Sequence, residues 1–171
     1  IRDRDVTGVQ TCALPISVGA YYAEGINPVK ILVEDDQRKV QDLLLSYIGF
    51  SKDAGAVGET EHPFTLNFSS KDVRVTNHYY EHDPISAMFS AIHEGGHAIF
   101  EQNVNPEYDN TAAGSCRYMG VHESQSRFYE NILGRNKNFW IPVYEKVQEL
   151  MPQMKDRSEE HTSELQSHHD L

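Results

Sequence analysis

The sequence predicts a mainly α-helical fold with a few short strands, cut from a larger helical protein. Three observations carry this. Apolar residues recur at three- and four-residue spacing over long stretches, notably 29–48 and 84–102. Short β-branched or aromatic runs are confined to 64–68 and 73–80. Proline, aspartate and glycine stand where helices start and stop.

Pro28 can open the first helix, because proline fits the first turn. Its apolar positions are Ile31, Leu32, Val40, Leu43, Leu44 and Ile48. The glycine-rich stretch 49–58 reads as a loop. Two strands follow, at 64–68 and 73–80. Asp83-Pro84 then starts a helix expected to run to about Gln102, with Asp83 as N-cap. Ile85, Met88, Phe89, Ile92 and Ile99 form its apolar face. Residues 103–119 read as a long irregular connection containing Pro106 and Gly114. Another helix is expected over 121–133, stopped by Gly134. A last helix carries Phe139, Val143, Val147 and Leu150, with Phe139 and Trp140 read as packing residues.

Composition excludes several classes. Of 171 residues, 24% are charged and 39% hydrophobic, a balance that suits a folded chain better than a disordered one. No apolar run approaches the roughly 18 residues of a membrane span. The net charge of −11 disfavours a non-specific grip on nucleic acid or anionic lipid. Two cysteines make no disulfide framework. No stretch shows the charged-then-apolar pattern of a secretory leader, and a cytoplasmic location is expected.

The two ends carry no sustained period. Residues 157–171 can be encoded so that the reverse complement, read in one frame, translates as residues 3–16 without a mismatch. The string resembles a sequencing-library adapter. Residues 1–16 and 157–171 are therefore expected to be translated adapter, and 17–156 an internal piece of a catalytic domain. The C-terminal stretch carries −3 and the N-terminal stretch is neutral, so 17–156 hold −8 of the −11. Cys116 is then the remaining cysteine, read as a plain thiol.

The chemistry concentrates in His93-Glu94-Gly95-Gly96-His97. It fits the H-E-x-x-H pattern. At about 3.6 residues per turn, residues four apart share a helix face, so two imidazoles can meet one Zn²⁺. Glu94 lies beside them, placed to hold and deprotonate a water. A catalytic zinc needs a third protein ligand, and His122-Glu123 on the next helix supplies it. Glu123 is the candidate; Glu101 and Glu107 compete. Glu101, four residues past His97, could instead orient a ligand. On a helix His122 should point away from Glu123. Arg127, one turn past Glu123, could pair with it or with a nearby carboxylate. His78 and His82 read as surface or loop histidines.

Two upstream motifs complete the pattern. In a strand, Asp72, Arg74 and Thr76 share a face. They form either a polar wall beside the metal or a structural salt bridge on an edge strand. His62, held extended by Pro63, either lines a cleft or caps a turn.

HPF at 62–64, DVRVT at 72–76, HEGGH at 93–97 and HESQSR at 122–127, in that order, resemble the carboxypeptidase Taq family of metallocarboxypeptidases. The resemblance implies an α-helical HEXXH metallopeptidase core. It implies His93, His97 and Glu123 as ligands of Zn²⁺, or of Co²⁺, and Glu94 as general base. It favours His62, Asp72, Arg74 and Thr76 at the substrate, where His122 is a further candidate. It further implies peptide substrates, release of single C-terminal amino acids and a homodimeric parent. Other glutamate-zinc peptidases place an acid near the position of Arg127, and that pattern does not carry over here. The family's downstream arginine motif, which would anchor the substrate's terminal carboxylate, is not among these 171 residues, so the chain alone is expected to be inactive. A related oligopeptidase or dipeptidyl carboxypeptidase, and a non-catalytic metal-binding module, are the alternatives.

Overall fold

The computed structural model describes residues 34–80, 83–115 and 118–152. Pro28, residues 29–33, His82, Cys116 and both presumed adapter ends lie outside them. Helix α1 spans Glu34–Ile48 and buries Gln37, Val40, Gln41, Leu44 and Leu45, one stripe at helical spacing. Its first turn holds Glu34, Asp35 and Asp36, which suits the positive end of the helix dipole. Gly49 ends it with a φ of 104°, a conformation that favours glycine.

The last four residues of the stretch read as a loop belong to a strand. After one tight turn at Lys52–Ala54, β1 runs over Gly55–Glu59. It pairs in parallel with β3 (Asp72–Asn77), which pairs antiparallel with β2 (Phe64–Ser69). The order is β1-β3-β2. Glycine serves close approach here: a Cβ on Gly55 would lie 2.2 Å from the Val73 carbonyl oxygen. With Gly55 and Gly58 in a five-residue strand, β1 leaves no apolar–polar alternation in the sequence. Strand β3 also stops earlier than predicted. Residues 78–80 are strapped to α1 instead, through Gln37 Nε2 to the Tyr80 carbonyl (2.9 Å) and Tyr79 OH to Gln41 (3.1 Å).

Helix α2 spans Pro84–Gln102 as the sequence predicts, and Asp83 caps it by accepting from the Ser86 amide. It is the central element. Met88 and Ile92 pack with Val40 and Leu44 of α1 and with Val143, Val147 and Met151 near the C-terminal end. Ala98 joins Leu45, Phe50, Val73 and Val75 between α1 and the sheet. Burying such side chains contributes about 1.5–3 kcal/mol each. The connection after α2 is irregular except for a short turn at Pro106–Tyr108.

Helix α3 spans Met119–Arg127 and continues as a wider, π-type helix over Phe128–Leu133. The Gly134 amide bonds the Tyr129 carbonyl five residues back (2.8 Å). Gly134 follows this helix but with a right-handed φ of −63°, so it is no left-handed cap. The single last helix predicted is two, α4 (Lys137–Trp140) and α5 (Tyr144–Leu150). Pro142 breaks it, because proline has no N–H to donate and constrains the residue before it. Phe139 and Trp140 pack against the first core cluster, as expected.

Candidate metal centre

Helix α2 presents His93 and His97 on one face, with ring centroids 5.0 Å apart. Helix α3 crosses that face and brings Glu123 to both. Glu123 Oε2 stands 3.7 Å from His93 Nε2 and 3.3 Å from His97 Nε2. The three ligand atoms lie within 4.8 Å of one another. Donor atoms around a tetrahedral zinc ion, each at about 2.0–2.2 Å, stand roughly 3.3–3.6 Å apart. The two separations to Glu123 lie close to that spacing, and the donor types suit a divalent transition metal.

Helix α3 can come this close because Gly96 has no side chain. A Cβ there would meet the Ser126 Cα at 2.9 Å. On the other side, a Cβ on Gly95 would meet Ile48 and Leu45 of α1. The two glycines between the candidate ligand histidines thus set the spacing of three helices.

Each imidazole has a partner behind it. His93 Nδ1 lies 2.7 Å from Glu130 Oε2. His97 Nδ1 meets His122 Nδ1, whose Nε2 lies 2.5 Å from Glu101 Oε1. Asn67 Nδ2 donates to Glu101 (2.8 Å). His122, expected to point away from Glu123, touches His97 directly. Glu101 reaches His122 and not a candidate ligand, one step removed from either role its spacing allowed. Glu107 is exposed in the turn at Pro106–Tyr108 and takes no part.

Glu123 is clamped from its own helix. Arg127 Nε donates to Oε1 (2.8 Å), and Ser126 Oγ lies 3.2 Å from Oε2. Glu94 is buried, and the Thr65 hydroxyl of β2 lies 2.8 Å from its Oε2.

The charges follow from these contacts. Burial pushes the Glu94 carboxyl up, against the Thr65 hydrogen bond that lowers it. Burial and the neighbouring His93 and His122 push His97 down to about 4. For His93, burial also lowers, but the bond to Glu130 and nearby carboxylates outweigh it and raise the ring. Burial raises Glu123 and Glu130, yet the hydrogen bonds from Arg127 and His93 respectively prevail and hold both below the usual range.

A cavity of about 560 Å³ opens over this centre. Its walls include Pro63, Phe64, Thr65 and Asn67 on the β2 side, His122 and Glu123 on α3, and the loop around Asp109–Gly114. Of the residues predicted at the substrate, only His122 lies on this wall. Asp72, Arg74 and Thr76 do share one face of β3, but the opposite face, Val73 and Val75, packs toward α2. Arg74 makes two 2.9 Å bonds to Asp72 and stacks on Phe68. The polar wall beside the metal is β2's instead, and the Asp72–Arg74 bridge sits on the central strand, not an edge. Thr76 Oγ1 bonds the Phe64 amide (3.0 Å) and the Thr60 hydroxyl (2.8 Å). His62 is exposed, and its carbonyl accepts from Thr60 (2.6 Å).

Sequence patterns left Glu130, Thr65 and Asn67 unnoticed. Glu130 did carry a signal, because it stands seven residues past Glu123, two helical turns on. Thr65 and Asn67 alternate with the exposed Phe64, Leu66 and Phe68, the period of a strand with one polar face.

Two imidazoles on one helix, a carboxylate from a second and a buried glutamate beside them define the metallopeptidase class of site. The chain belongs to the carboxypeptidase Taq (M32) metallopeptidase family, whose model matches residues 26–168. Carboxypeptidase 1 of Bacillus subtilis is 45% identical over 130 residues, 75% of this chain and 26% of that protein. Thermostable carboxypeptidase 1 of Thermus thermophilus is 39% identical, over 71% of this chain and 24% of that protein. The M32 carboxypeptidase structure from Deinococcus radiodurans R1 superimposes with a TM-score of 0.71 at 31% identity, over 84% of this chain and 30% of that one. The chain thus spans only about a quarter of the length of these curated relatives.

Proposed function

We propose that this chain is the metal-holding part of a zinc carboxypeptidase that releases single amino acids, with broad specificity, from peptide C termini. Cobalt is an alternative metal for the same donors. The observation that carries the reading is the convergence of His93 Nε2 and His97 Nε2 on Glu123 Oε2, with Glu94 alongside. When bound, the metal supplies Lewis acidity and lowers the pKa of water to about 7.

The chain's own residues do the rest. Glu94, ionised and steadied by Thr65, takes a proton from the attacking water and passes it to the leaving amine. Its burial raises its proton affinity, which suits that second transfer. Arg127 fixes the oxygen of Glu123 that faces away from the imidazoles. His122 meets substrate from the cavity wall. His62, Asp72, Arg74 and Thr76 act on substrate indirectly in this proposal, by holding the start and outer face of β2.

The parent protein is proposed to be a cytoplasmic homodimer, by the family resemblance alone. Among the described residues no helix is long and apolar enough to cross a membrane.

The test is Glu94→Gln in the full-length protein that carries this segment. General-base loss should lower kcat/KM by about 10²–10⁴-fold with zinc retained. Full activity would sink the mechanism. Dipeptide products would move the assignment to a dipeptidyl carboxypeptidase. The 171-residue chain alone should release no C-terminal residue from an N-blocked peptide.

A further inference from the structure

We infer that Glu130 is a positioning residue for the metal centre: its carboxylate holds His93 in the tautomer that leaves Nε2 free to face the metal. The inference rests on the metal-site reading above. It begins from the 2.7 Å contact between Glu130 Oε2 and His93 Nδ1. An imidazole that gives its Nδ1 proton to a carboxylate must offer its Nε2 lone pair, and that atom is the one turned toward Glu123. Both partners are largely buried, with 12% and 15% of the side chains exposed, so water competes little for the bond.

The surroundings keep Glu130 ionised and aimed. Arg127 Nη1 lies 3.4 Å from Oε2, and Arg135 Nη2 lies 3.6 Å from Oε1. Arg127 also holds Glu123 through Nε, so one arginine joins a ligand to the residue behind another ligand. Glu130 lies within the wider helical stretch Phe128–Leu133 that continues α3.

A simpler role is a buried fastener between α2 and α3. The two roles separate on metal affinity and tautomer. Zinc affinity of the full 171-residue chain is measured by competition with a chromophoric chelator. Glu130→Gln should weaken it about tenfold and Glu130→Ala toward a hundredfold, with Glu130→Asp in between. Glu145→Gln, an exposed charge elsewhere, should change nothing. In ¹⁵N-histidine spectra of the unaltered zinc-loaded chain, His93 should carry its proton on Nδ1. An Nε2-protonated His93 overturns the inference, and this arm holds even if the variants do not fold. Folded Glu130→Gln with affinity within twofold of the parent overturns it too. His93→Ala separates the layers: if that variant keeps full affinity, the metal-site reading itself fails.

Discussion

Gly96 and Ser126 touch backbone to backbone: a methyl group added at Gly96 would lie 2.9 Å from the Ser126 Cα. The neighbours on that side, the Gln125 carbonyl and the Tyr129 ring, stand at 3.1 Å. Backbone cannot yield as a side chain can, so Gly96→Ala should push α3 outward and carry Glu123 away from the imidazoles. Overpacking of this kind costs about 1–3 kcal/mol, against a gain in helix propensity of about 1 kcal/mol. Thermal melts should show a net loss, and zinc affinity should fall. Gly95→Ala is the control, since its methyl would meet only the side-chain ends of Ile48 and Leu45. If Gly95→Ala loses zinc while Gly96→Ala keeps it, the spacing argument is wrong.

The sequence was most legible where periodicity and caps agree. Helix α2 carries both, and its limits and its ligand pair read directly from residues 83–102. Strand β1 was invisible because Gly55 serves contact with Val73, and a contact across the sheet has no local period. The break before α5 hinged on one residue, Pro142, that a wide apolar spacing masked. The partners behind the ligands come from three different elements. Thr65 and Asn67 lie on a strand, Glu101 on α2 and Glu130 in a widened turn. Helical spacing placed Glu101 near a candidate ligand, and the seven-residue step from Glu123 was the cue to Glu130 that went unused. It could not show which atoms they would reach.

Thr65 sets the ionisation of Glu94. Burial raises the Glu94 pKa, and the Thr65 hydroxyl is the largest influence in the other direction. Thr65→Val removes that bond at nearly constant volume, so the Glu94 pKa should rise further. A base must be ionised, so the acidic limb of the kcat/KM profile in the full-length protein should move to higher pH. The alkaline limb should stay in place. An unmoved acidic limb would show that the hydroxyl does not act on the base.

We propose that residues 1–16 and 157–171 are not native protein. The competing account is the family match, which reaches residue 168. A chain trimmed to 17–156 should bind zinc as tightly as the 171-residue chain and melt at the same temperature. The nucleotide sequence should also show complementary ends over the two stretches. A loss of zinc on removing 157–171 would favour the family-match account of that segment.

Acid should weaken the metal-free fold through His97. Its folded pKa, about 4, lies below the ordinary 6.5. Between those values the unfolded chain binds the extra proton, so stability falls as pH drops from about 6.5 toward 4. Glu123 and Glu130, held low, add losses in the same direction at the acid end, as pH falls through their folded values. His93 and Glu94 oppose this. Each has a raised pKa, so the folded chain holds that proton more tightly than the unfolded one; the contribution is full below the unfolded pKa and is lost as pH rises through the folded value. For His93 that loss falls above 6.5, outside the window His97 governs. Glu94 offsets part of the acid loss, but it is one group against three. Melts of the metal-free chain should therefore fall steadily below pH 6, and the His97 ring should titrate near 4 by NMR. Zinc should steepen the dependence, because a ligand imidazole must be neutral to bind. A His97 ring that titrates near 6.5 would mean that burial and its two imidazole neighbours do not control it.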